Sequence, residues 1–387
     1  MKDIKFNIGI FVILVIGILG IIPGYSPFRV NKEIVCEWSI IFFIALCLRN
    51  KWISLFVIWS LINMMLSTYT PVGLNRAYTL TLHTIVFFSV AYHFISEKAF
   101  NINRILDFIC VSAVLSAVLV FLQYRGVWFG IVPRDWEQMP KYLMTFPTPR
   151  MSFIVFKDYC HPMGFMDNSG TIGAFLALCL PAFFRKKWVL LTPLIIAGIF
   201  VTKTLGGIVP AGVVIIFYIV WKWRRKGLLL SLLVLLGVGV WIYLNEPLNR
   251  LSSFNGRIEI WKFCVTKFIP RKLFTGWGLG QAQFLPLIPA MEGATKGKWL
   301  HYHNEYINMT IELGITGLII FMGYLVNLFR KLVHYLNNEI TFLIFLGIIV
   351  ALLNMFVNFP LHNPLGIIII VYFALGDSLS RNERNDV

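Results

Sequence analysis

The chain has 387 residues, of which 58% are hydrophobic, 34 are Phe and only 13% are charged. A soluble domain is typically about 45–50% apolar with about a quarter of its residues charged, so this composition excludes an ordinary soluble globule. The net charge of +16 is weak evidence for nucleic-acid binding, because topology accounts for much of it, and no nucleic-acid partner is expected.

The apolar residues come in runs of roughly 16–22, the length that crosses a bilayer as a helix. Backbone groups in lipid must be satisfied internally, so the runs are read as helices. In chain order they fall near 7–23, 34–48, 52–68, 78–96, 104–123, 166–184, 188–203, 206–222, 227–244, 306–329, 340–359 and 364–379. The expectation is an all-α, polytopic integral membrane protein with about 12 transmembrane helices, forming a single membrane domain over 1–387. The run from Ile8 to Ile22 has no small-x-small cleavage site after it and reads as a retained first span.

Lys and Arg set the orientation. With the N-terminus in the cytoplasm, the short inward segments carry Arg49, Lys51, Lys98, Arg104, Arg185, Lys186, Lys187, Arg224, Arg225, Lys226, Arg330 and Lys331 among others. The short outward segments carry only Arg29, Lys32, Arg76 and Lys203. Both termini are therefore expected in the cytoplasm. Two long loops then face outward, 124–165 and 245–305, the larger between the ninth and tenth helices. Together they hold 13 Lys and Arg, which topology would not put there and an anionic ligand would explain.

Loops this long usually carry function. The larger one begins RLSSFNGRIEIWK at Arg250, passes GWGLG at 276–280 and reaches HYHNEY at 301–306. Asn-Gly favours a turn, after which Arg257 and Trp261 lie four apart on one helical face. Arg257 offers a fork of donors suited to phosphate, or equally an interfacial Arg against lipid headgroups. The glycines of GWGLG, Gly278 among them, would let backbone amides approach a phosphate, although a tight turn is the commoner use. His303 is the side chain best placed to take a proton near neutral pH. His301, His303 and Glu305 do not form a specific zinc pattern, and neither a metal nor another cofactor is expected.

The helix that follows carries Glu305, Asn308, Glu312 and Thr316 at i, i+3, i+7 and i+11, a polar stripe on an apolar helix. An ionisable residue such as Glu312 within a span faces protein or water, and packing against a neighbouring helix is the plain alternative. Asp167 and Asn168 suit a helix cap, and Asn354, Asn358 and His362 recur at four-residue spacing. Both sets are more often structural. Of six cysteines, Cys160 and Cys264 lie in the outward loops, where a bridge is conceivable in an oxidising compartment.

These residues, taken together, resemble the bacterial O-antigen ligase family, which includes O-antigen polymerases and protein oligosaccharyltransferases. Its signature is His, then Asn/Ser/Gln, nine residues, Gly, two residues and Gly/Thr/Tyr. His303, Asn304, Gly314 and Gly317 fit that spacing. NGRIEIW, GWGLG and the His-Asn element follow in the family's order, and GFMDNSGTIGAFLALCLP resembles its mid-chain helix opening. The resemblance covers about 160–320. One departure is VTKTLGG, with Leu205 where many members carry Arg, which makes Lys203 the candidate for the missing charge.

The resemblance implies a glycosyltransferase of the bacterial inner membrane, working on the periplasmic face. Its partners would be an undecaprenyl-pyrophosphate-linked glycan, a lipid A–core or glycan acceptor, and membrane lipids. Arg257, with Lys203 and Arg250, would hold the pyrophosphate. Asn304 and Gly278 join them as candidate binding residues. His303 would deprotonate the acceptor hydroxyl, oriented by Glu305 or Glu312. A polymerase of the same family is the nearest alternative. A transporter or flippase for an anionic lipid or solute is the alternative of another class, and would favour charged or broken helices at the midplane. A structural membrane partner without chemistry would leave the His-Asn spacing to chance.

Overall fold

The computed structural model describes residues 50–65, 92, 101–125, 162, 169–245, 257–278, 302–357 and 365–385. All regular elements among them are helical. They are α1 (Lys51–Met65), α2 (Ile102–Tyr124), α3 (Ser169–Phe183), α4 (Thr192–Val201), α5 (Leu205–Asn245), α6 (257–263), α7 (Glu305–Val333), α8 (Glu339–Val357) and α9 (Leu365–Asn385). A π turn, Cys264–Phe268, and a 3-10 turn, Ile269–Lys272, continue α6.

Four of the described helices are long and apolar enough to cross a membrane: Ile102–Tyr124, Leu205–Arg224, Glu305–Val333 and Glu339–Phe356. The chain is a multi-pass membrane protein. The expected spans at 7–23, 34–48 and 78–96 lie outside the described residues, Tyr92 excepted, as does most of both outward loops. The run at 188–203 differs from expectation. It is a short 3-10 turn, Val189–Leu191, followed by the ten residues of α4, about 15 Å of helix. Pro193, near the start of α4, fits a helix start, where its missing N–H costs nothing. The runs 206–222 and 227–244 follow each other as the two parts of α5, broken at Arg224, whose φ of 48° and ψ of −118° turn the chain within the basic RRK segment.

The residues divide into two compact units. The unit formed by 98–256, 303–305 and 332–387 is built around α3, which contacts α2, α4, α5, α8 and α9. Every residue of α3 from Thr171 to Phe183 is buried, so α3 is enclosed by protein rather than lipid. Gly173 and Gly207 make its approach to α5 close: a Cβ on Gly207 would lie 2.7 Å from the Gly173 carbonyl. At one end of this unit, buried Arg185 pairs with Asp107 at 2.8 Å and donates to the Asn103 carbonyl at 3.2 Å. Lys187 and the Trp188 indole complete the shell around the same carboxylate, at 2.8 and 2.7 Å. A buried guanidinium needs such partners, because burying a charge alone costs several kcal/mol.

The other unit comprises 1–97, 257–302 and 306–331. Here α1 packs on α7 through Trp52 against Gly323 and Phe56 against Phe321. The α6 segment packs on the first turns of α7 through a cluster of Ile260, Cys264, Phe268, Tyr302 and Ile311.

Candidate functional site

The segment after α6 is organised by a break in α7. Gly314 has φ 71° and ψ 178°, outside helical space. A break of this kind takes the preceding carbonyls out of the helical ladder, and in an apolar setting they need new donors. They have them. The Ile311 carbonyl accepts from the Trp277 amide at 2.8 Å, the Glu312 carbonyl from the Gly278 amide at 3.0 Å, and the Leu313 carbonyl from the Trp59 indole at 2.8 Å. Beyond the break, the Ile315 amide donates to the Leu273 carbonyl at 2.7 Å. Asn63 of α1 donates its side-chain amide to the Thr275 carbonyl.

Gly276 and Gly314 face each other across this contact, both at positive φ. A Cβ on Gly276 would lie 2.5 Å from the Gly314 nitrogen, and one on Gly314 would lie 2.8 Å from the Gly276 nitrogen. Gly276, Trp277 and Gly278 thus serve as a strap across the helix break, and the Gly278 amide is engaged with Glu312. Trp277 closes the strap from below, its indole donating to the Phe268 carbonyl at 3.1 Å.

Tyr302 is anchored in the same unit. Trp261 donates its indole N–H to the Tyr302 carbonyl at 2.6 Å, so Trp261 is half-buried against protein. The Tyr302 side chain is buried and burial raises its phenol well above the ordinary value. Cys264 carries a free thiol in this cluster, fully buried and pushed up to about 12 by desolvation; Cys160 lies outside the described residues. Arg257 opens α6 half-buried, and burial lowers its pKa.

His303 follows Tyr302 with φ 48°, half-buried. Asn304 stands just before the first helical residue, where Asn is favoured, and Glu305 opens α7, where the helix dipole favours an acid. Asn304, Glu305, Asn308 and Glu312 are all buried and Thr316 is half-buried, whereas Ile319, Met322 and Val326 are exposed. The polar residues before the Gly314 break are therefore enclosed, and these exposed apolar side chains all lie beyond it, continuing the spacing of Thr316.

Lys203 lies in the turn between α4 and α5, exposed, with φ 53°. Thr202 and Thr204 flank it, their hydroxyls 3.1 Å apart and packed over Gly173 in the first turns of α3. Among the described residues only Lys203, Arg224 and His303 are non-glycine residues at positive φ, and two of the three are candidates from the sequence. Such conformations cost about 1–3 kcal/mol and collect at functional sites. Arg250, His301, Asp167, Asn168, Asn358 and His362 lie outside the described residues, and Asn354 is buried in α8, donating to the Val350 carbonyl at 3.1 Å.

Sequence reasoning missed Trp59, Asn63 and Thr202 as supporting residues. A Trp or Asn in an apolar run gives no hint of the carbonyl it will serve, because its partner lies 212 or 254 positions away.

Comparison with known families adds the decisive observation. Residues 190–322 match the family model described as O-antigen ligase. Over these residues the chain is similar to the O-antigen ligase family. The matched stretch holds Lys203, Arg250, Arg257, Gly278, His303, Asn304, Glu305, Glu312 and the glycines Gly314 and Gly317. No curated protein matches the chain. The family consists of membrane enzymes of the O-antigen ligase and polymerase type, which implies lipid-linked glycan substrates.

Proposed function

We propose that the protein transfers a glycan from undecaprenyl pyrophosphate to an acceptor hydroxyl, lipid A–core in the ligase reading, on the outer face of the bacterial inner membrane. The observation that carries this reading is the family match spanning Lys203, Arg250, Arg257 and the His303-Asn304 signature, with His303 held at positive φ at the head of α7.

In this mechanism the His303 imidazole takes the proton of the acceptor hydroxyl. The oxygen attacks the anomeric carbon as the bond from that carbon to the pyrophosphate oxygen breaks. Undecaprenyl pyrophosphate leaves with the bonding pair. Arg257, with Lys203 and Arg250, binds the pyrophosphate and stabilises the charge that develops on it. Burial of Arg257 disfavours its charge, and an anion beside it offsets that penalty. Buried Glu305 and Glu312 are candidates to orient the imidazole, and Asn304 to contact substrate. The reaction needs no nucleotide, because the donor is already activated.

A polymerase shares every donor step and differs only in using a second lipid-linked glycan as acceptor. A transporter would use a helix broken within its span, leaving carbonyls free for an ion. The carbonyls at the Gly314 break already accept from Trp277, Gly278 and Trp59, which favours the enzyme.

The test is transfer in proteoliposomes holding purified protein, a lipid-pyrophosphate-linked glycan and lipid A–core. Glycan on the core supports a ligase. Longer lipid-linked glycan with an unmodified core identifies the polymerase. Neither product with several donors sinks the reading.

A further inference from the structure

We propose that the outward face of the segment from α6 to Phe274 is a membrane-surface element that binds anionic phospholipid headgroups, in the leaflet at the His303 end of α7.

Two observations carry this. The first is the character of the face. Residues 257–278 contain five basic side chains, Arg257, Lys262, Lys267, Arg271 and Lys272, against Glu259 as the one acid. Lys262, Lys267 and Arg271 are exposed. Interleaved with them are Ile258, Val265 and Phe274, exposed by 44%, 52% and 69%. A soluble anion would be met by the basic groups alone. A face that mixes exposed apolar side chains with Lys and Arg suits a bilayer surface, where the former enter the acyl boundary and the latter meet anionic headgroups.

The second is depth. The buried face of the segment is fixed to α7 by its apolar cluster and by the strap at Gly314. From Ile315 to Val333 α7 runs about 28 Å, close to the roughly 30 Å hydrocarbon thickness. The Gly314 break therefore sits near the membrane boundary, and the Leu273 carbonyl bonded to Ile315 brings Phe274 to that level. This placement does not depend on the glycosyl-transfer reading.

Two measurements on the full chain in lipid nanodiscs test it. In a parent with Ser at Cys36, Cys47 and Cys160, Phe274→Cys is labelled with a nitroxide and its collisions with oxygen and with a water-soluble nickel chelate are compared. The proposal predicts oxygen access well above nickel access. Nickel access equal to that of a water-facing loop site would overturn it. Separately, Lys262→Gln, Lys267→Gln and Arg271→Gln are combined, and lipids retained after purification from a phosphatidylcholine–phosphatidylglycerol mixture are weighed by mass spectrometry. The ratio of retained phosphatidylglycerol to phosphatidylcholine should fall at least about twofold. An unchanged ratio would count against headgroup binding. All three positions are exposed, so the variant keeps its core.

Discussion

Gly276 and Gly314 meet backbone to backbone, each at positive φ and each within 3 Å of where the other's side chain would begin. The contact joins the strap at Gly276, Trp277 and Gly278 to the break in α7, eleven residues after His303. Gly314 is also the first glycine of the family signature, which gives that position a physical reason: it ends one helical stretch and admits the strap. Either Gly276→Ala or Gly314→Ala combines left-handed strain with a backbone clash that no rotamer relieves. Each should destabilise the protein by about 2–4 kcal/mol, read as a lower midpoint in detergent by size-exclusion thermostability.

Trp59 offers a cleaner test of the same break. Trp59→Phe keeps an aromatic ring but removes the donor to the Leu313 carbonyl. The expected loss is about 1–2 kcal/mol, against no measurable change for Trp223→Phe, since Trp223 is 50% exposed. Equal midpoints for the two variants would count against a capping role.

Much of the helical framework was legible in the sequence, because long apolar runs have one solution in lipid. α2, α7 and α8 lie within a few residues of their expected limits. The short α4 was not, since an apolar run does not distinguish a lipid-facing span from one partly enclosed by protein. The enclosure of Glu305, Asn308 and Glu312 was legible from their spacing, whereas Thr316 lies beyond the break. The break at Gly314 was not, because Gly is tolerated in helices and only the strap, a distant partner, makes the break favourable. The left-handed backbone at His303 was not legible either, because residue type carries no sign of it.

Cys264 should resist alkylation in the native protein at pH 8, where burial keeps the thiol protonated, and react once unfolded, as followed by iodoacetamide labelling and mass spectrometry. The folded-state value is raised from 9.0 to about 12, so the unfolded chain loses this proton first. The group's contribution to stability is complete below about 9 and declines as pH rises from there towards 12.

Asp107 holds Arg185 and Lys187 together. Asp107→Asn leaves the Arg185 guanidinium buried without its counter-charge. Because Asp107 is itself 28% exposed, the cost should be on the order of 2–3 kcal/mol rather than the full value for a buried pair. Chemical denaturation in detergent measures it, with Lys187→Gln as a milder control of about 0–1 kcal/mol.

The most direct measurement is the initial rate of glycan transfer by His303→Gln in the reconstituted assay, beside the parent and Arg257→Gln. The account predicts a loss of about 100-fold or more for His303→Gln, with donor binding retained and an unchanged thermal midpoint. A rate equal to that of the parent would contradict His303 as the base and with it the proposed chemistry.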